Sequence, residues 1–218
     1  MVGWVGETGL SKITPVRFCG TVEGMTPTSV LSPQGDAFDA AVETLAVAFL
    51  DDPLVAWLFP EPTGRLRFQR GFIRFLLATG EAELDTTGDG AASALWLRVE
   101  PNGEFAGLSE GDLDALRAAF GPAAERLIWV GGEFSRRHPR GERHVYLALL
   151  GVLPEARGLG HGGRLLAHRL TEARLPVYLE ATTGRSAGLF ARHGFAALGD
   201  PIHVPGGPSC LPMWRAAP

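Results

Sequence analysis

The fold is decided by His144-Val-Tyr-Leu-Ala-Leu-Leu-Gly-Val-Leu-Pro-Glu-Ala-Arg-Gly-Leu-Gly-His-Gly-Gly163. Residues 144–152 are nearly all apolar and too few for a buried helix, so they read as a central strand covered on both faces. Glycines follow at 158, 160, 162 and 163, and beyond them Leu166, Leu170 and Ala173 recur at helical spacing. A strand, a glycine turn and a helix start in this order bring several backbone N–H groups together beside the positive end of a helix dipole, with no β-carbon in the way. That arrangement suits a diphosphate. Arg157 adds a charged donor at the mouth of the turn.

C-terminal to this stretch, residues 176–181 form another buried strand, 185–193 a short helix ended by Gly194, and short strands near 195–198, 202–204 and 211–215 close the chain with a hairpin. On the N-terminal side, Asp36 caps a helix carrying Phe38, Ala41, Val42, Leu45, Ala46 and Phe49, which Asp51-Asp52-Pro53 stops. A short strand at 28–31 precedes it and a second helix covers 65–78. Strands at 81–86 and 92–99 flank Thr87-Gly-Asp-Gly90, a hairpin signal. Ser109-Glu-Gly-Asp112 fits a capping box, and Pro122 suits the first position of a further helix reaching about residue 137. The pattern predicts a mixed α/β domain over 26–218, a central twisted sheet with helices on both faces. Residues 1–25 lack a period and read as an N-terminal extension.

With 218 residues, 45% of them hydrophobic, the chain can bury one sizeable core. A net charge of -4 without blocks of like charge gives no footprint for nucleic acid, which leaves a small molecule as the default partner. Cys19 and Cys210 are too far apart for a metal or redox motif. The first residues have no basic segment followed by an apolar one, so neither a leader nor a membrane span is expected, and the predicted location is cytoplasmic.

Two ligand classes compete for the glycine turn. Gly158, Gly160 and Gly163 spell GxGxxG with Glu180 about twenty residues on, as in a dinucleotide-binding oxidoreductase. Against this, Pro154-Glu-Ala-Arg157 separates strand from glycines, and only thirty-eight residues follow Glu180. A plain glycine-rich helix cap needs fewer glycines.

Leu149-Leu-Gly-Val152, Pro154, Arg157, Gly160 and Gly162 together resemble the acetyl-CoA signature of the GNAT superfamily. Ala48-Phe49 with Asp51-Asp-Pro53, Trp57-Leu-Phe-Pro60, His138-Pro139, Tyr146-Leu147, Tyr178-Leu-Glu180 and His193-Gly-Phe195 resemble, in order, its puromycin N-acetyltransferase-like branch. The resemblance implies acetyl transfer from acetyl-CoA to a primary amine of a small molecule by direct attack in a ternary complex, without a metal, in a monomer or homodimer. It implies that the strands ending at Val152 and running through Glu180 splay apart, with pantetheine pairing to backbone at Leu150 and Val152. The pyrophosphate would lie on Arg157, Gly158, Leu159, Gly160, His161, Gly162 and Gly163, and a backbone N–H near Leu150 would polarise the acetyl oxygen.

The resemblance also marks a departure. Phe190 stands where relatives often have the tyrosine that protonates the thiolate, and Ser186 where they have a cofactor-contacting asparagine. Water, Ser186 or Cys210 is left as the proton source, and a non-catalytic acyl-CoA-binding protein is the alternative. Glu180, at the end of a buried strand, is the candidate general base, or else a structural partner of an arginine such as Arg185. His144 is a candidate proton relay, or a capped strand end. Asp51 and Asp52 could meet a cationic amine or simply end a helix. Trp57, Phe59, Trp96, Trp129 and Phe134 read as core, with one or two lining an acceptor cleft.

Overall fold

The computed structural model describes residues 29–30, 35–78, 82–101 and 110–218; the extension read over 1–25 and the Ser109 cap lie outside them. The chain runs β1 (Ser29–Val30), α1 (Asp36–Ala48), α2 (Pro53–Leu58), α3 (Pro62–Ala78), β2 (Ala82–Thr86), β3 (Ala92–Val99), α4 (Glu110–Phe120) and α5 (Ala124–Arg137). It continues with β4 (His144–Val152), α6 (His161–Glu172), β5 (Val177–Ala181), α7 (Gly184–Arg192), β6 (Ala196–Ala197), β7 (Ile202–His203) and β8 (Ser209–Arg215).

The strands are ordered β1-β2-β3-β4-β5-β8-β6, with β7 pairing to β8 off this path. Among the described residues only β4 and β5 are parallel. A doubly wound sheet needs a run of parallel strands, so the fold removes the setting that the dinucleotide reading of the glycine turn requires. Both faces of the sheet are covered. Leu165, Leu166 and Leu170 of α6 and Phe190 of α7 pack on Trp96, Leu147 and Leu179. On the opposite face Phe38, Val42 and Leu45 of α1 and Ile73 of α3 pack on Leu84, Leu95 and Tyr146. A third cluster joins α2, α4 and α5 through Leu54, Leu58, Leu116, Phe120 and Leu127 to Ile202 and Cys210.

Local chemistry adjusts several predicted ends. Asp36 is the first residue of α1, behind Gly35, and makes no side-chain cap. Asp51-Asp52-Pro53 does not merely stop α1: Asp52 Oδ1 accepts from Leu54 N (2.8 Å) and Val55 N (3.2 Å), and Pro53 supplies the fixed φ of a helix start, so α2 begins there. An Asp-Pro pair before an apolar run was the available signal. Regular α3 starts after a kink at Thr63 and Gly64, where Gly64 has φ +93°.

Two features shape β4. Leu95 pairs with Leu149 but Trp96 with Leu147, so Ala148 is an extra residue, a bulge. Its effect is visible in the packing: Ala148 and Leu149 both face α1, whereas Leu147 and Leu150 face α6. Then Gly151 lets α1 approach. A β-carbon there would lie 2.8 Å from Ala48 Cβ and 3.2 Å from Leu45 Cδ2, and neither has room to retreat in a packed interface. Gly151→Ala is therefore expected to lower the unfolding free energy by about 1–3 kcal/mol, measurable as a lower urea midpoint at unchanged slope.

Candidate active site

β4 and β5 are registered only at Val145–Val177 and Tyr146–Tyr178. Beyond these pairs the strands part, and β4 main-chain groups on that side have no strand partner among the described residues. A cavity of about 890 Å³ opens there. One wall is Leu150, Gly151 and Val152 of β4 with Gly158 and Gly160–Gly163 of the turn; another is Ser186, Leu189 and Phe190 of α7; the far end is built by α3, α4 and α5. The same cavity thus reaches both the glycine turn and the helical end.

The turn is built as a helix N-terminus. Gly158 (φ +85°) and Gly160 (φ +84°) take left-handed conformations that disfavour a β-carbon, and α6 starts at His161. Its first N–H groups have no intrahelical acceptor, and they line the cavity with Gly162 and Gly163. A β-carbon on Gly162 would come 3.1 Å from Val152 Cγ2, so this glycine also sets how closely α6 approaches β4. Leu159 is 63% exposed and does not line the cavity. His161 Nδ1 is buried, 3.6 Å from Asp89 Oδ2.

Arg157 lines the cavity beside the turn, but its side chain is engaged within the protein. Its guanidinium is bidentate to Asp51 (2.5 and 2.8 Å), donates to the Ala48 carbonyl at 2.8 Å and reaches Val152 O at 3.3 Å. It clasps the C-terminal end of α1 to the end of β4, and the hydrogen bonds from Arg157 hold the Asp51 carboxyl below its usual range. Asp52 is committed as well, capping α2 with one oxygen and accepting from Thr182 Oγ1 (2.6 Å) with the other. Burial raises its pKa. Neither aspartate is an unengaged anion awaiting a cationic amine.

Glu180 follows Tyr178 and Leu179 on β5, on the sheet face it shares with Tyr146. Tyr146 O–H donates to Glu180 Oε2 at 2.7 Å, while Oε1 is buried without a partner. Arg185 makes no bond to it among the described residues. The Tyr178 hydroxyl is buried with no hydrogen bond of normal geometry, yet lies near enough to favour the carboxylate. Burial outweighs both hydroxyls and pushes the Glu180 carboxyl up to about 7. In the sequence Tyr146 enters only through the family resemblance, with no role in the site; the pairing with Tyr178 that brings it to Glu180 is made by the fold.

His144 is fully buried and outside the cavity lining. Its Nδ1–H donates to Glu142 O (2.8 Å), so its Nε2 accepts from His138 Nε2–H at 2.9 Å. Burial drives both imidazoles toward neutrality, His138 down to about 3. His138 does line the cavity and stands edge-on to Tyr146 and Tyr178, with centroids 5.0 and 4.6 Å away. Any proton relay from His144 must pass through it.

Ser186 is taken up by the cap of α7. Its Oγ donates to Thr183 O (2.9 Å) and accepts from Thr183 N (3.2 Å), while Thr183 Oγ1 accepts from Ser186 N (3.1 Å). The hydroxyl has no spare proton for a thiolate unless the cap opens. Burial lifts the Cys210 thiol to about 12, which opposes an acid or nucleophile role. Phe190 lines the cavity and packs edge-on against Phe195, centroids 5.7 Å apart. Phe134 also lines it, whereas Phe59 and Trp96 are core. Among the described residues no three His, Cys, Asp or Glu side chains converge as a metal site, and no helix is long and apolar enough to cross a membrane.

Comparison with known proteins accords with this geometry. No curated protein matches the chain by sequence. Among solved structures, a Corynebacterium glutamicum protein described as histone acetyltransferase HPA2 and related acetyltransferase is 28% identical, with TM-score 0.62 over 88% of this chain and 97% of its own. The fold is shared with arylalkylamine N-acetyltransferase 2 of Aedes aegypti (16% identity, TM-score 0.59, 87% and 98% covered). It is shared too with a Drosophila melanogaster polyamine N-acetyltransferase that forms N-acetylagmatine (20%, 0.53, 87% and 100%). The pattern of the acetyltransferase (GNAT) family matches residues 56–195, well over half of the sequence, and the chain belongs to that family.

Proposed function

We propose that the protein transfers an acetyl group from acetyl-CoA to a primary amine of a small molecule, by direct attack in a ternary complex, in the cytoplasm. The observation that carries this reading is Glu180: a buried carboxyl held by Tyr146 at the parting of β4 and β5, in a cavity that also contains the glycine turn, with burial pushing it up to about 7. Acetyl-CoA supplies the thioester. The parted strands and the α6 N-terminus fit it, because unpaired β4 backbone suits an amide-bearing arm and free N–H groups suit a diphosphate. The segments from Ala48 to Pro53 and from Trp57 to Pro60 support a place in the puromycin N-acetyltransferase-like branch.

An aliphatic ammonium cannot attack a carbonyl, so its proton must leave first. Glu180 near 7 is ionised often enough to accept that proton, yet basic enough to hold it. Tyr146 fixes the carboxylate through Oε2 and leaves the buried Oε1 to take a proton, directly or through water that enters the cavity. A main-chain N–H of β4 near Leu150 offers a preorganised dipole to the oxygen that becomes negative.

The departing thiolate takes its proton from water in this scheme, because Phe190 has none to give. Phe190→Tyr is accordingly expected to raise kcat about tenfold or more, read as thiol release at saturating substrates. An unchanged kcat would mean that thiolate protonation does not limit the reaction. The whole proposal is tested by thiol release against a panel of primary amines. Acetyl-CoA that binds tightly and is never consumed would instead favour an acyl-CoA-binding protein.

A further inference from the structure

Gln69 is fully buried on α3, and among the described residues neither its Oε1 nor its Nε2 has a hydrogen-bond partner. Burying an amide without partners is costly, and native structures keep such groups rarely. Gln69 is also part of the cavity wall, at the end built by α3, α4 and α5. Phe72, Phe75, Leu116, Val130 and Phe134 line the same cavity, and the side chains that these three helices contribute include no charged group; Gln69 and Ser135 are their polar members. Glu180 Oε1 and, at the glycine turn, His161 Nδ1 are further buried atoms of lining residues without a hydrogen-bond partner among the described residues.

Resting on the acetyl-transfer reading above, we propose that Gln69 reads the acceptor, and that the acceptor is an amine whose apolar body ends in an uncharged carboxamide or hydroxyl. Both ends of the Gln69 amide are unpaired, so the complement is a group that donates and accepts at once. An aliphatic or aromatic body suits the phenylalanine and leucine wall. A second ammonium, as in a polyamine, would meet no carboxylate on the helical wall, and burying it there unpaired is prohibitive. The amine itself lies toward Glu180. Because Gln69 has no solvent contact, side chains between it and the open part of the cavity must shift rotamer as the acceptor seats, a common adjustment on binding.

The test compares 2-phenylethylamine, tyramine, 4-(2-aminoethyl)benzamide and agmatine as acceptors, for the native protein and for Gln69→Leu and Gln69→Glu. The native protein is expected to favour tyramine or the benzamide over 2-phenylethylamine by about tenfold or more in kcat/KM, because a site built to pair a polar group rejects the analogue lacking it. Gln69→Leu should erase that preference, leave the KM for acetyl-CoA unchanged, and raise Tm by about 2–6 °C by removing an unpaired buried amide. Gln69→Glu should shift the preference toward agmatine. A preference that survives Gln69→Leu, or none in the native protein, overturns the role of Gln69 and leaves acetyl transfer standing. Bound acetyl-CoA with no thiol release for any amine overturns the transferase reading, and this proposal with it.

Discussion

Glu180→Gln is expected to lower kcat/KM for the amine by about 10²–10⁴-fold while acetyl-CoA binding stays within a few-fold of native. The glutamine keeps the shape of the side chain and its contact with Tyr146 but cannot take a proton. In the native protein the rate should rise with pH through about 7, where the buried carboxyl ionises, and Glu180→Gln should lose that limb. Tyr146→Phe removes a bond that favours the carboxylate, so the limb should move to higher pH. A limb that persists unchanged in Glu180→Gln would place the base elsewhere.

The same carboxyl has a stability signature of definite sign. Its ordinary value is 4.5 and its folded value about 7, so between these the folded state binds more protons than the unfolded. Stability contributed by Glu180 is therefore full below about 4.5 and falls as pH rises to about 7, by about 3 kcal/mol. Glu180→Gln should raise Tm at pH 8 and change it little at pH 4. This compensation between an active carboxyl and a less stable fold is common where catalysis needs a buried ionisable group.

Gly162→Leu is expected to have the second large effect. At the second position of α6 its first side-chain atom already meets Val152 Cγ2 at 3.1 Å, with Leu189 Cδ2 at 3.8 Å behind it. A branched side chain must push the α6 N-terminus away from β4, and the N–H groups of the turn go with it. The KM for acetyl-CoA should rise about 100-fold, or about 2.7 kcal/mol of binding, with a further overpacking cost of about 1–3 kcal/mol in stability. Leu159→Ala, in the same turn but exposed, should alter neither.

The last third of the chain was the most legible. An unbroken apolar run, four glycines and a helical period are local signals, and His144–Val152, His161–Glu172 and Val177–Ala181 appear nearly where the pattern put them. Backbone at Leu150 and Val152 and the glycines follow from that order, since main chain goes where its strand goes. Side chains were less legible because their partners are distant in sequence. Arg157 is drawn to Asp51, 106 residues away, and Asp52 to Thr182, 130 away. The Ser186 hydroxyl is engaged by a local competitor, the capping box of its own helix, which Thr183 three residues earlier announces. The place of Glu180 on the cavity wall follows from its strand position, but Tyr146 and Gln69 acquire meaning only once the sheet and α3 are placed around one cavity.

The most direct test combines purified protein with acetyl-CoA and a panel of primary amines, and measures free CoA thiol and acetylated amine together. The expected result is equal formation of both, dependent on Glu180, with acetyl-CoA raising Tm and NADH leaving it unchanged. Acetyl-CoA that stays intact with every amine, or stabilisation by NADH alone, would contradict acetyl transfer at the parting of β4 and β5.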